Sequence, residues 1–226
     1  MVSDPRPWHH PRVITSIDRA HQLRALLVGD EPSAWEAAGF TVTAGAVLVG
    51  TTVVVLDPTL ASGIVRADVS SLDDDVDGLP IGPIETPDTP PQEHRNRVCG
   101  FDHLVVMSPA IQRTSDALVR AGLDLRRSRT FPVGGQTRRQ DFFWLGDVIL
   151  ELVGVDGVMD DGPATLWGLA FECDDLDAAV SELGEAVGPA KDAVQAGRRI
   201  ATIRSRELGI SVPIALMSRH VRRGDD

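Results

Sequence analysis

The feature that most constrains the fold is an internal repeat in the second half of the chain. Residues His103–Leu118 align without a gap with Gly168–Leu183, and VILELVG, which begins at Val148, matches VPIALMS, which begins at Val212. Each copy reads as a β-rich run, a run with apolar residues at helical spacing, and three further extended runs. A repeat of about 65 residues with the order βαβββ predicts two copies of one structural unit.

The same patterns set the element boundaries. Ser108 followed by Pro109 favours the start of a helix, and Gly122 favours its end. In the second copy Asp174 is the predicted helix cap, and Gly184 ends that helix. The predicted strands of the first copy are Gly100–Met107, Leu123–Phe131, Arg138–Leu145 and Val148–Val153, around a helix over Ala110–Ala121. Those of the second copy are Leu166–Cys173, Val187–Ala193, Arg199–Arg204 and Val212–Met217, around a helix over Asp175–Leu183.

The N-terminal part repeats this order less clearly and is predicted to be a degenerate third unit. Residues 1–77 form this unit, residues 78–96 a linker with five prolines, residues 97–220 the paired domain, and residues 221–226 a tail. Three units are an odd number, so the first either caps the paired domain or pairs with its counterpart in a homodimer. The predicted elements of the first unit are Leu23–Val28, a helix over Ser33–Ala38, Phe40–Thr43, Ala46–Val49, Thr51–Leu56 and an extra strand over Gly63–Val69.

Charge and composition narrow the class of partner. The chain has 33 acidic and 22 basic residues, a formal net charge of -11, which argues against general affinity for nucleic acid or anionic membranes. No apolar run approaches the roughly 18 residues that a membrane span needs, and no signal-like segment opens the sequence, so a cytoplasmic location is expected. Cys99 and Cys173 lack the spacing of a zinc site. Small molecules are therefore the expected partners.

Three segments resemble the vicinal oxygen chelate superfamily of glyoxalases, bleomycin resistance proteins and extradiol dioxygenases. They are FDHLVV, LGDVILELVG and WGLAFECDDLDAAVSELG, which look like successive signature strands of that superfamily. The resemblance implies an α+β fold in which paired βαβββ modules form strongly curved mixed sheets that enclose a cup. It also implies a divalent metal in the cup, held by His, Glu or Gln from the first and last strands of each unit.

Carried over position by position, the resemblance makes His103 and Glu151 both metal ligands and catalytic residues. The matching positions of the second unit are Gly168 and Ala215, whose side chains cannot coordinate a metal. An imidazole and a carboxylate suit Fe, Mn, Ni, Zn or Co, but two ligands are fewer than the usual set. The sequence therefore leaves open whether the cup holds one divalent ion or none.

Further residues are candidates for binding a substrate. Strand alternation puts Glu172 on the same face as Gly168, so Glu172 is a candidate third ligand or base, although a solvated strand end is the simpler interpretation. Gln140 and Trp144 are candidates to line the pocket, although tryptophan often packs as core. Two adjacent arginines after Gly197 are candidates to hold a carboxylate or phosphate, although paired arginines are commonly solvated; they are Arg198 and Arg199.

Three interpretations fit these features. The first, which we favour, is a lyase, isomerase or dioxygenase in which a metal, or an acid–base pair, stabilises an enolate or oxyanion on an oxygen-bearing substrate. Glu151 is then ligand or base, and His103 is ligand or acid. The alternative is a metal-free protein that binds or sequesters a small molecule or drug. A third interpretation, in which the N-terminal unit occludes the cup of its own chain, is permitted by the linker length.

Overall fold

The N-terminal unit is a small mixed sheet with one helix. The structure of the chain, a computed structural model, describes residues 21–72 and 75–219. Parallel pairing of the first and third strands gives a four-stranded sheet of order β2-β3-β1-β4, and a two-stranded β5-β6 ladder follows. The elements are β1 (Leu23–Val28), α1 (Pro32–Ala37), β2 (Ala46–Val49), β3 (Thr52–Leu56), β4 (Ile64–Val69), β5 (Asp75–Val76) and β6 (Leu79–Pro80).

The rest of the chain forms one eight-stranded sheet of order β12-β13-β14-β11-β7-β10-β9-β8. Its strands are β7 (Val98–Met107), β8 (Leu125–Val133), β9 (Gln136–Leu145), β10 (Val148–Val155), β11 (Thr165–Cys173), β12 (Lys191–Asp192), β13 (Arg199–Thr202) and β14 (Ile214–Ser218). Its helices are α2 (Ile111–Arg120), α3 (Leu176–Leu183) and α4 (Ser205–Leu208), with a short 3-10 helix over Gly184–Ala186. The order is symmetric about the antiparallel β7–β11 pair. The paired βαβββ fold is thereby confirmed.

Strand register confirms the repeat at the level of single residues. In the parallel β7–β10 pair, Glu151 lies opposite Val105, two residues beyond His103. In the parallel β11–β14 pair, Ala215 lies opposite Ala170, two residues beyond Gly168. Opposed residues of paired strands share a sheet face. We call the face that carries His103, Glu151, Gly168 and Ala215 the cup face.

The N-terminal unit packs against the other face of the central strands. The ring of Phe40 lies 5.2 Å from that of Phe171 on β11, and Phe171 lies 4.5 Å from Phe101 on β7, all distances between ring centroids. Because Phe171 alternates with Ala170, it points away from the cup face. Buried residues of both parts form one hydrophobic cluster. The described N-terminal residues thus support the back of the sheet, and the division at residues 77 and 96 stays a prediction.

The linker explains one wrong strand prediction. Phe40–Thr43 does not form a strand: the Phe40 amide donates to the Trp35 carbonyl at the end of α1, and the linker binds Thr41. The Thr41 amide donates to Nδ1 of His94 over 3.1 Å, and the Thr41 hydroxyl donates to the Glu93 carbonyl over 2.6 Å. The extra strand predicted over Gly63–Val69 is present as β4, whereas the predicted tail lies outside the described residues.

Both predicted helix caps are displaced by one or two residues. The N-cap of α2 is Ala110, and Ser108 instead accepts a hydrogen bond from the Ala110 amide over 3.0 Å. The N-cap of α3 is Asp175, whose Oδ1 accepts from the Ala178 amide over 2.9 Å, so Asp174 is not the cap. The predicted strand over 187–193 shortens to β12, and α4 was not predicted. None of the helices in the described ranges has the length and apolarity that crossing a membrane requires.

Candidate functional site

His103 and Glu151 meet on the cup face. Nε2 of His103 lies 3.4 Å from Oε2 of Glu151, and the two side chains are 17% and 14% exposed. They come from neighbouring parallel strands and are diagonal neighbours, since His103 lies opposite Ile149 and Glu151 lies two residues further along β10. The geometry gives a partly buried imidazole and carboxylate within reach of one small molecule.

A β-bulge brings a second carboxylate to the same imidazole. The register between β7 and β11 shifts between the pairs His103–Ala170 and Phe101–Phe171, which leaves Asp102 as the extra residue. A bulge re-aims side chains, and here Oδ1 of Asp102 lies 2.8 Å from Nδ1 of His103. Because a carboxylate only accepts, Nδ1 carries the hydrogen of this bond, and Nε2 faces Glu151.

Arg198 from the second unit holds Asp102 in place. The Nη2 atom of Arg198 lies 2.5 Å from Oδ2 of Asp102, and both side chains are nearly inaccessible to solvent. Its Nε also donates to the Ser218 carbonyl over 2.8 Å. Burial by itself would raise the pKa of Asp102, but the hydrogen bonds from His103 and Arg198 and the charge of Arg198 outweigh burial and lower that pKa to about 2. Asp102 is therefore an anion over the whole neutral range.

A second arm of contacts reaches Glu151 from the other side. Gln140 on β9 donates through Nε2 to Oε1 of Glu151, and its own Oε1 accepts from Nε of Arg129 over 2.5 Å. The Arg129 guanidinium lies 5.6 Å from the ring centroids of both Phe131 and Phe142. Burial lowers the pKa of Arg129, and the negative charge of Glu151 partly offsets that effect. The contacts run in the order Arg198, Asp102, His103, Glu151, Gln140, Arg129.

The remaining predicted site residues lie at different distances from this cluster. Trp144 is on the cup face of β9, opposite Ile149, and is half-buried. Glu172 lies at the end of β11, where its Oε1 is 3.6 Å from Nε of Arg219. Arg199 is partly exposed and donates to Asp177 on α3 over 2.6 Å. The structure brings Gln140 to Glu151 and links Arg198 to His103 through Asp102. A role of any of these residues in binding substrate stays a prediction.

Two residues of the cluster were missed at the level of sequence. Asp102 precedes His103, and regular strand alternation would put it on the opposite face from His103, so the bulge hides its role. Arg129 could have been found, because a hairpin turn at Gly134–Gly135 fixes the β8–β9 register and puts Arg129 opposite Gln140.

The donors present do not complete a metal site of the kind that the resemblance implies. A separation of 3.4 Å suits two ligands that each lie about 2 Å from one ion. A catalytic site normally uses at least three protein ligands, and the matching Gly168 and Ala215 have none to offer. Within the described residues no group of three or more His, Cys, Asp or Glu side chains could hold a metal ion. We therefore derive no chemical step through a metal.

Fold and site together define a class of protein: paired βαβββ units with a polar cluster on the cup face. Residues 102–202 match the model of the Glyoxalase/Bleomycin resistance protein/Dioxygenase superfamily. This part of the chain is therefore similar to that superfamily over residues 102–202. No curated protein matches the chain by sequence.

Solved structures agree with the assignment of the fold. A mutant of 4-hydroxymandelate synthase from Streptomyces coelicolor is similar over 90% of this chain and 94% of its own, with a TM-score of 0.59 and 14% identity. An extradiol ring-cleaving dioxygenase from B. fuscum is similar over 91% of this chain and 73% of its own, with a TM-score of 0.55 and 13% identity. At such identities the likeness shows the fold alone.

Proposed function

We propose that the cup face binds a small oxygen-bearing molecule and that Glu151 and His103 move a proton on it, as in an isomerase or lyase. One observation carries this proposal: the imidazole of His103 is oriented by Asp102 over 2.8 Å and meets Glu151 over 3.4 Å. A side chain oriented by a buried carboxylate and placed beside a second ionisable group is typical of acid–base catalysis.

The proposed step uses both groups. Glu151 takes a proton from a carbon next to a carbonyl, and protonated His103 gives its Nε2 proton to the carbonyl oxygen, so a neutral enol forms. Asp102 stabilises the imidazolium by its charge and fixes the ring. A dioxygenase step would instead require a redox-active ion, and a facial triad uses three protein donors where this site supplies two.

A second candidate function is metal-free binding or sequestration of a small molecule or drug. The absence of donor side chains at Gly168 and Ala215 favours it, as does the apolar character of the surrounding cup face. That face includes Val105, Ile149, Phe142, Val153 and Trp144.

Deuterium exchange separates the two candidates. A panel of 2-oxo acids, 3-oxo acids and thioesters is incubated with the protein in D2O, and loss of the proton next to the carbonyl is followed by NMR. We expect exchange that Glu151→Gln lowers by at least about 100-fold, in line with the loss of a general base. Glu182→Gln, an exposed carboxylate on α3 beside Arg97, is the matched control and keeps the rate.

Metal content tests whether the proposed step is independent of a metal. Mass spectrometry is applied to protein purified without chelator or nickel affinity resin, for the natural sequence and for His103→Ala and Glu151→Ala. Stoichiometric metal that both variants lose would overturn the metal-independent step. A panel member that binds in a Glu151-dependent manner without exchange would establish the binding protein instead. A cytoplasmic location and a homodimer are further proposals, and sedimentation tests the latter.

A further inference from the structure

The β8–β9 hairpin concentrates positive charge in an acidic chain. Residues 125–140 contain five arginines and no acidic residue, whereas the whole chain has a formal net charge of -11. Among the described residues, strand β8 pairs with β9 alone, so it is the edge of the eight-stranded sheet. Most of its residues are exposed. Such a local excess of charge attracts anions.

Register assigns three of these arginines to the cup face. Arg127 lies opposite Phe142, and Arg129 lies opposite Gln140. Phe142 in turn lies opposite Glu151, so these side chains share the face of Glu151. By the same alternation Arg138, opposite Phe131, belongs to this face.

Of the other two arginines of the hairpin, Arg139 lies on the opposite face, and Arg126 is the extra residue of a β-bulge between Leu125 and Arg127. A carboxylate accompanies each of them. Arg139 donates to both oxygens of Asp141 over 2.9 and 2.7 Å, and Arg126 lies 4.0 Å from Asp124. On the cup face of β8, β9 and β10 the sole carboxylate is Glu151, and Arg129 and Arg138 already place two guanidinium groups on that face. The positive charge of the cup face is therefore not balanced within these strands.

Arg129 is held rigidly beside the reacting pair. It is half-buried, its Nε is bonded to Gln140, and its guanidinium lies over two aromatic rings at 5.6 Å. Gln140 uses one of the five N–H donors of a guanidinium, and the planar fork of the rest suits a carboxylate or phosphate. Gln140 contacts both Arg129 and Glu151. An anionic group bound to Arg129 is therefore separated from the proposed base by a single side chain, that of Gln140.

We propose that Arg129 and Arg138, with Arg127 on the same face, form a subsite for a carboxylate or phosphate group of a soluble small molecule whose reactive end reaches Glu151 and His103. The placement of the reactive end rests on the proposed function, whereas the anion subsite itself does not. An alternative is that arginines on an edge strand only prevent edge-to-edge association. That alternative predicts that Arg126→Gln and the cup-face arginine variants have the same effect on anion binding.

NMR titration of the full chain tests the subsite without any knowledge of the substrate. The probes are benzoate, inorganic phosphate and, as the neutral partner of benzoate, benzamide, and the signals are the arginine Nε–Hε groups. We expect both anions to shift the Arg129 signal, whereas benzamide does not. Arg129→Gln and Arg138→Gln each weaken benzoate binding about tenfold. Arg126→Gln leaves it unchanged, because that exposed guanidinium lies at the bulge beside Asp124. Glu151→Gln strengthens it, because the competing negative charge is removed.

The outcomes separate this subsite from the proposed reaction. No anion-dependent shift of Arg129, or equal weakening by Arg126→Gln and Arg129→Gln, overturns the subsite. Anion binding at Arg129 in a protein that exchanges no proton in D2O leaves the subsite standing and overturns the reaction. Proton exchange at a rate that depends neither on the Arg129→Gln and Arg138→Gln variants nor on the charge of the panel member leaves the reaction standing. It overturns the proposal that an anionic group at these arginines places the reactive end of the molecule.

Discussion

The two βαβββ units share one register but differ in the side chains that the register brings to the cup face. The first unit presents His103 and Glu151, and the second presents Gly168 and Ala215 at corresponding positions. A Cβ atom added at Gly168 would lie 3.2 Å from the Pro213 carbonyl oxygen, so the second unit has little room there for a side chain. Symmetry of the backbone therefore does not impose symmetry of the chemistry.

The second unit contributes support instead of donors. Arg198 precedes β13 and reaches across the sheet to Asp102, which orients His103 of the first unit. The two units therefore have different roles at the site. The first unit carries the reactive groups, and the second fixes the orientation of His103 through Asp102.

The largest effect is expected from loss of the buried arginine. Arg198→Ala leaves the Asp102 carboxylate buried without its cation, which costs about 3–5 kcal/mol in the free energy of unfolding. Urea unfolding measures that cost. The adjacent Arg199→Ala is the matched control and changes stability by less than about 1 kcal/mol, because its pair with Asp177 is exposed. Equal effects at the two positions would refute the supporting role of the second unit.

A smaller effect is expected on acidification. The pKa of Asp102 is lowered from 3.8 to about 2, so its ionised form stabilises the folded state above the unfolded value. That contribution, about 2 kcal/mol, is lost as the pH falls from about 4 to about 2. The free energy of unfolding should therefore drop more steeply below pH ~4 in the natural sequence than in Asp102→Asn. Asp177→Asn, an exposed carboxylate of α3, should leave the slope unchanged.

The smallest effect concerns the helices, where the two units also differ. The N-cap of α3 is Asp175, which bonds the Ala178 amide, whereas the N-cap of α2 is Ala110, which makes no side-chain cap. Asp175→Ala should lower the free energy of unfolding by about 1 kcal/mol. The neighbouring Asp174→Ala should stay within about 0.5 kcal/mol. Thermal unfolding of the two variants compares them, and a larger loss at Asp174 would return the cap to the residue that the sequence favoured.

The sequence by itself determined the order of elements and the equivalence of the two units. Hydrophobic periodicity and turn residues are local, so they survive in the sequence whatever the tertiary structure does. His103 and Glu151 were singled out by the resemblance of their segments to the superfamily, and the repeat then identified Gly168 and Ala215 as their counterparts. The caps were displaced because neighbouring residues at a helix start are equally suitable by type, so the local sequence does not choose between Asp174 and Asp175. At Phe40–Thr43, residues 93 and 94, distant in sequence, bond to Thr41 in place of a neighbouring strand.

Only the tertiary structure decided which groups surround His103. Asp102 reaches the ring through a bulge in the pairing of β7 with β11, and Arg198 reaches Asp102 from 96 positions further along the chain. Neither contact has a local signal, because a bulge depends on how two distant strands align and an ion pair depends on where two strands of different units meet. The tertiary structure also gives the two adjacent arginines different environments: Arg198 is buried against the Asp102 carboxylate, whereas the Arg199 side chain is partly exposed.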